Sequence, residues 1–434
     1  MKALVNSVVR LGPRLASVLH RRARELPQSE RNIRLFCTDT AIQGLIMGGI
    51  SSYISVFIVR LGAPNLLVSL LMSLPAVIGA VLYVPLGWFV ERQRDMIRLT
   101  NRYRLVHRGG FLLIALAPFL FKAHLPEVIV ALWALGAVPG ALINLSWTAA
   151  VAEMVPAQRR PSVNGFRWAL VSLVTAASVA GFGYLLEHSP SPIGYQIVFA
   201  VSFLGGLLSM YFWSLIKLPA VEPSASVPAS PEVARGSTLA QRLRAYFGSF
   251  AEEPAFVRFL LTTFVLRFGL NLPAALYSIY WIRNLKASDV WIGWRGTASS
   301  LALVVGYFAW GRIASRKGHH PVLLACTLGM GLYPVLTALV RTQTLLPLVA
   351  IVFGFFVTGI DLAFFDTLLH VCPPKKRASF VAVNLVFADL ALFVAPMTGS
   401  LLTRWVDIRT LFFVAGGIHL LALMLFWLFR TGVE

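Results

Sequence analysis

The sequence predicts an all-α integral membrane protein with twelve transmembrane helices in two pseudo-symmetric six-helix bundles. Three observations lead there. Hydrophobic residues fill 57% of the 434 positions and charged residues only 13%, with a mean hydropathy of +0.74, a balance that a water-soluble domain of this length does not keep in solution. Apolar runs long enough to cross a hydrocarbon core of about 30 Å follow one another from residue 33 onward. A stretch at 218–238, with Pro219, Pro223, Pro228 and Pro231 set among Ala, Ser and Val, buries too little apolar surface to offset chain ordering, and it divides those runs six and six.

Taken in order, the chain reads as a basic amphipathic segment (1–32), a first bundle (33–217), a linker (218–254) and a second bundle (255–434). In the opening segment Leu4, Val8, Leu11, Leu15, Val18 and Leu19 share one helical face, while Arg10, Arg14, Arg21 and Arg24 occupy another. That pattern fits an interfacial helix on anionic lipid, kinked at Pro13. An organellar presequence and a disordered basic tail fit the same residues. The expected spans are 33–59, 66–90, 105–121, 126–150, 163–186 and 194–216, then 255–282, 290–311, 321–340, 345–370, 379–403 and 409–429. Within the linker, 239–250 reads as a second surface helix.

Positive charge sets the orientation. Breaks on the side of the N-terminus hold Arg92, Arg94, Arg98, Arg102 and Arg104; Arg159 and Arg160; Arg242 and Arg244; Arg312, Arg316 and Lys317; and Lys375, Lys376 and Arg377. The opposite breaks offer Arg60, Lys122, Arg283, Lys286, Arg341, Arg404 and Arg409. Both termini are therefore expected in the cytoplasm, in an inner or plasma membrane. The same loops explain the formal charge of +20 without a nucleic-acid partner. Cys37, Cys326 and Cys372 stand far apart, with no disulfide or zinc spacing, so no metal or cofactor is expected. No phosphate-binding Gly loop, His-x-x-x-His pair or nucleophile elbow occurs in a plausible context, which argues against an enzyme.

An internal repeat joins the halves. Gly87–Arg92 (GWFVER) matches Gly311–Arg316 (GRIASR) at an offset of 224, which lays Arg34 over Arg258, Gln43 over Arg267 and Tyr53 over Tyr277. A second match sets Arg160 on Arg377 at an offset of 217, and Asn144 then lies over Asp361. Equal helix order, loop length and loop charge in two halves mark a parallel repeat about an axis along the membrane normal.

On these residues the sequence resembles the major facilitator superfamily, in topology over nearly all of 32–430. The family's motif after the second helix of each half has Gly, an acid four residues on, Arg, then Gly. Here the first copy gives Gly87, Glu91 and Arg92, with Arg94 at the last place, and the second gives Gly311, Arg316 and Gly318, with Ser315 for the acid. The resemblance implies that these six motif residues gate the cytoplasmic side. Leu132 stands where many proton-coupled drug exporters have Arg, and the fifth helix offers only Gly181 and Gly183 in place of a Gly-Pro pattern.

Ionisable residues inside the expected spans are Asp39, Arg167, Arg267, Arg295, Asp361, Asp366 and Asp389, each costing about 2.5–3.5 kcal/mol at a helix centre unless paired or hydrated. Helical rise puts Arg267 and Asp361 at a similar depth of about 14 Å and Asp389 about 15 Å in. In the resembled fold, the first, fourth, seventh and tenth helices line a central cavity with the eleventh close by. Arg267, Asp361 and Asp389 are then expected to form a charge network coupled to conformational change, with Asn271 nearby. Gln43 and Asn144 supply neutral substrate contacts in the first half. The competing reading of Arg267 and Asp361 is a buried structural ion pair. Asp39 is read as snorkelling or cavity-lining, Asp366 as a helix-end contact, and Arg167 and Arg295 as interfacial. Tyr53, Tyr277 and Phe364 are candidates for an apolar substrate cage; the alternative for each is an ordinary interfacial aromatic.

The resulting expectation is a monomeric secondary transporter moving a small, amphipathic organic solute by alternating access, with proton-coupled efflux as the energetic scheme and membrane lipids as surroundings. Two alternatives keep the fold but give it another role, as a non-transporting scaffold or assembly factor or as a lipid or lysolipid flippase.

Overall fold

A computed structural model describes residues 27–218, 253–372 and 377–429. The N-terminal segment and most of the linker, including its expected surface helix, lie outside the described residues. Among those described there are helices, short helical turns and no strand.

The helices are α1 (Gln28–Arg60), α2 (Asn65–Glu91), α3 (Met96–Leu120), α4 (Leu125–Met154), α5 (Arg160–Glu187), α6 (Ile193–Ser214), α7 (Pro254–Asn284), α8 (Asp289–Lys317), α9 (His319–Leu339), α10 (Leu346–Val371), α11 (Arg377–Leu402) and α12 (Ile408–Phe429). Ten of these are long and apolar enough to cross a membrane. The two that fall short, α3 and α8, do so because arginines interrupt their apolar sequence: Arg98, Arg102, Arg104 and Arg108 in one, Arg295, Arg312 and Arg316 in the other.

Packing repeats after six helices. In the first half α1 packs on α5 and α6, α3 on α4 and α6, and α2 on α4; in the second α7 packs on α11 and α12, α9 on α10 and α12, and α8 on α10. The halves meet along two seams, α5 with α8 and α2 with α11, which the same shift exchanges. Small residues permit the close approaches, as expected of helices that lack a hydrophobic drive to associate in lipid. A Cβ on Gly44 would sit 2.7 Å from Val174 Cβ, and one on Gly48 2.6 Å from Ser178 Cβ, so α1 lies directly against α5.

Two helices that face the middle of the molecule are irregular. In α1 a π-helical turn at Met47–Ser51 centres on Gly49 (φ −92°, ψ −107°). The Ile50 N–H donates to Ser202 Oγ of α6 at 3.1 Å, so the disturbed ladder leaves that donor satisfied. In α7 Pro273, which has no N–H to give, separates Pro254–Asn271 from Ala274–Ile279, and a second π-helical turn follows at Tyr280–Asn284.

Among the described residues, hydrogen bonds between the halves occur only from mid-depth to the end of the bundle remote from the N-terminus. The deepest joins Thr297 Oγ1 to the Ala176 carbonyl at 2.8 Å. Nearer that remote end, Asn65 Nδ2 donates to Thr403 Oγ1 at 2.9 Å, Ser69 bonds the Pro396 carbonyl at 2.9 Å and Ser400 Oγ, and Arg283 donates to Asn65 Oδ1 and the Ala63 carbonyl. The bundle is thus clamped at one end.

Candidate functional site

A cavity of about 480 Å³ opens where the interruption in α7 faces the glycine turn of α1. Its polar lining comes from Ser51, Ser52 and Ser55 of α1, Arg267, Asn271, Tyr277 and Ser278 of α7, and Arg295 of α8. Arg267 and Asn271 stand one helical turn apart, so both project to the same side; Asn271 Nδ2 also donates to the Arg267 carbonyl at 2.8 Å. The Arg267 guanidinium lies 4.6 Å from the Phe364 ring, and its Nε is buried without a hydrogen-bond partner. Arg295, read from sequence as interfacial, is a cavity residue. Its guanidinium stacks 4.0 Å over Trp281 and donates to Tyr333 Oη at 3.0 Å.

A second cavity, of about 260 Å³, lies in the first half and is lined by Thr40, Gln43, Arg104, Asn144, Trp147, Arg167 and Trp168, among others. Gln43 and Asn144 therefore stand together as the repeat suggested. Arg167, also read as interfacial, instead lines this space: its guanidinium sits 4.7 Å from Trp168 and 5.1 Å from Trp147 and bonds Asn164 Oδ1 at 2.7 Å.

The first half, where Gln43 and Asn144 are expected as neutral contacts, also carries a buried charge pair beside this cavity. Arg104 and Asp39 are 1% and 0% exposed and form a two-pronged ion pair, Nη1 to Oδ1 at 2.8 Å and Nη2 to Oδ2 at 3.3 Å. Ser209 Oγ donates to the same carboxylate at 2.6 Å, and Trp213 stacks on the guanidinium at 4.7 Å. Asp39 is therefore neither snorkelling nor facing open space; it ties α1, α3 and α6 together. One turn further along α3, Arg108 donates to Gln43 Oε1 at 2.9 Å, and the bare Cα of Gly206 makes room for its stem. The third expected span begins at residue 105 and so leaves Arg104 in the loop before it. The legible signal was spacing: Arg104, Arg108, Phe111 and Ala115 recur at three to four residues and are all buried.

Between the two cavities runs a chain of charged and aromatic groups. Trp168 of α5 stacks on Tyr307 of α8 at 6.5 Å, Tyr307 faces Asp361 of α10, and Arg267 lies within electrostatic reach of both Asp361 and Asp389 of α11. The expected trio is thus brought together, but among the described residues it makes no ion pair within 4 Å, whereas Asp39–Arg104 does. Phe364 is buried beneath Arg267 and against Phe259, a floor for the charge and not a cage wall. Tyr53 is 0% exposed and donates to the Val179 carbonyl at 2.9 Å, so it belongs to the core under the clamped end; its repeat mate Tyr277 does line the cavity. The Asp366 side chain lies outside the described residues.

At the clamped end a polar cluster joins the halves that sequence reading missed. Arg60 of α1 pairs with Asp289 of α8 at 3.0 Å and donates to the Ala287 carbonyl at 3.0 Å. Tyr195 of α6 donates to Asp289 Oδ1 at 2.7 Å, and the Asp289 N–H donates to Glu187 of α5 at 3.1 Å. Scarcity was the signal, since Arg60 is one of few cations expected at that end and Asp289 opens a span. At the other end Gly318 closes α8 with φ +83°, a left-handed conformation that explains Gly at this motif position. Arg92 and Arg316 are exposed there, a Cβ on Gly87 or Gly311 would meet nothing within 4 Å, and the Glu91 side chain lies outside the described residues. A larger groove on the outer face of α8 and α10, lined by Trp294, Leu301, Val305, Leu348 and Ile351, has no ionisable group and suits lipid contact.

Known proteins share this architecture. A POT family transporter solved in complex with 5-aminolevulinic acid superposes with a TM-score of 0.72 at 13% identity, covering 95% of this chain and 100% of that one. The nucleoside transporter NupG gives 0.66 at 12% identity over 93% and 100%, and the inward-open xylose transporter XylE from E. coli gives 0.64 at 15% identity over 92% and 96%. In sequence, solute carrier family 22 member 23 of Mus musculus is 28% identical over 127 residues, which is 29% of this chain and 18% of that protein; the human protein is 27% identical over the same length. The chain thus matches under a fifth of these relatives' length. The Major Facilitator Superfamily model matches residues 259–434. The family match thus lies in the second half of the chain, while the fold is shared with these solved transporters along nearly its whole length.

Proposed function

We propose that the protein is a secondary transporter that moves a small, amphipathic organic solute by alternating access, with solute held between the halves near Arg267, Asn271 and Tyr277 and, in the first half, Gln43 and Asn144. The observation that carries this reading is the one-ended clamp. Two cavities with convergent polar side chains lie between or beside halves whose hydrogen bonds to one another, among the described residues, run only from mid-depth to the remote end, which is the form a rocking-bundle carrier takes in one of its two states. With the termini in the cytoplasm, this state faces inward, and the Arg60–Asp289 cluster is the outer gate.

Proton coupling runs through Asp361 in this scheme. The groups facing its carboxylate are Arg267 and Tyr307, with Asp389 across Arg267. Adding a proton to Asp361 removes one negative charge from beside Arg267, which alters the guanidinium's interactions and so the balance between states. Efflux is the direction proposed, with the proton moving opposite to the solute. The test is flux of a broad compound panel in proteoliposomes with and without an imposed pH gradient. The unaltered protein is expected to concentrate its solute under the gradient, and Asp361→Asn to carry it only down its own gradient. Equal, gradient-independent flux in both removes the coupling role.

A further inference from the structure

We infer that the solute is an organic anion, its carboxylate or phosphate head held by Arg267 and Arg295 and its aromatic or aliphatic body lying against Tyr277, Trp281 and Tyr333. This inference rests on the transport reading for its biological meaning, but its physical content is binding. The lining of the 480 Å³ cavity includes two guanidinium groups and, among the described residues, no carboxylate. A buried or half-buried cation is retained only if something offsets its lost hydration. Asp39 does so for Arg104 by direct contact; among the described residues nothing equivalent serves Arg295.

Arg295 touches one phenol oxygen, Tyr333 Oη at 3.0 Å, and the face of Trp281 at 4.0 Å. Neither carries a compensating charge, and together they fix the guanidinium plane while leaving donors free, since a guanidinium has five N–H groups. Arg267 on the facing helix has acids within electrostatic reach, but its Nε is buried with no acceptor. Two planar donor forks on different helices, opening on one space with aromatic walls, match an oxyanion on an apolar body better than a neutral or cationic solute. The volume falls within the roughly 300–1,000 Å³ usual for small-molecule sites. Arg295 is fixed to α8 beside the α5–α8 seam and Arg267 to α7, so both forks belong to the second half and a bound anion would move with that half when the halves rock.

The experiment is equilibrium binding to the full chain in lipid nanodiscs, using probes that share one ring system: naphthoate, naphthyl phosphate, naphthol and naphthylmethylammonium. Charge-assisted hydrogen bonds of about 1.5–3 kcal/mol predict that the anions bind roughly ten- to a hundredfold more tightly than naphthol. The order of naphthoate and naphthyl phosphate then identifies the head group. Arg295→Gln should bring anion and naphthol affinities to within about threefold, and Arg295→Lys should restore most of the difference because the charge returns. Arg267→Gln gives a second reading on another helix should Arg295→Gln fail to fold as a monodisperse protein. Naphthol or the ammonium probe binding as tightly as the anions, or an anion preference unchanged in both Gln variants, overturns the inference. Flux separates it from the transport reading: anions that bind yet cross under no gradient defeat transport and leave the site standing. Neutral solutes carried while anions are ignored do the reverse.

Discussion

At the scale of single residues, the molecule uses arginine in two ways that sequence position does not distinguish. Arg104 meets a buried carboxylate, itself held by the Ser209 hydroxyl, and a buried indole, so its charge is consumed in joining α1, α3 and α6. Arg267 lies over a ring with Asp361 and Asp389 in electrostatic reach but, among the described residues, no ion pair within 4 Å, and Arg295 meets a ring and a phenol oxygen, so donors of both remain open to a ligand. The difference has an energetic consequence. Asp39→Ala strands the Arg104 guanidinium at 1% exposure, and removing one member of a buried pair costs about 3–5 kcal/mol. Replacing both, as Asp39→Leu with Arg104→Met, removes the desolvation penalty along with the attraction and should recover most of that loss. Thermal unfolding of the purified variants measures this: the single replacement is expected to lower the midpoint far more than the double. Arg295→Gln, by contrast, should leave the midpoint nearly unchanged.

At the scale of helices, what could be read from the sequence followed from length and apolarity, and what could not followed from partners. The long apolar runs of α9, α10 and α12 announce themselves, and the offset of 224 lays Tyr53 of α1 over Tyr277 of α7. Yet burial differs within that pair, because Gly183 and Gly293 bring α5 and α8 onto Tyr53 while Tyr277 meets the space opened at Pro273. No periodicity within one helix encodes which neighbour covers it. The third helix shows the same limit: a span begun at residue 105 leaves out a charge that has a buried partner 65 residues away. The α5–α8 seam also yields a test. A Cβ on Gly183 would lie 2.7 Å from the Asp289 carbonyl and 2.8 Å from Tyr53 Oη, and one on Gly293 3.0 Å from the Val179 carbonyl. Gly183→Val therefore has no room in the clamped state. Spin labels on the 188–192 and 285–288 connections should report a longer distance in this variant, with the population shifted to the state open at that end; an unchanged distance distribution would mean that the seam does not set the equilibrium.

At the scale of the whole molecule, function in this scheme requires the clamped end to open and close. Opening must break the Arg60–Asp289 pair, the Arg283 contacts with Asn65 and Ala63, and the hydroxyl contacts of α2 with α11. Each is modest alone, being part-exposed or neutral, so their sum can be overcome by a solute's differential affinity for the two states. A covalent bond cannot be overcome in that way. Ser69 and Ser400 oppose one another across the α2–α11 seam with their hydroxyls in contact, both fully or nearly buried, which sets their side chains at a separation that a disulfide can span. The native cysteines Cys37, Cys326 and Cys372 are buried, so a new pair can be oxidised with little competition from them. In Ser69→Cys/Ser400→Cys, oxidation should stop flux and a reductant should restore it, while solute binding from the opposite end persists in both redox states. The serine-to-cysteine singles, carried through the same oxidation, should transport normally. Flux that survives complete oxidation of the double variant would mean that solute crosses without separation of these two helices, and the rocking scheme would have to give way to a path within one half.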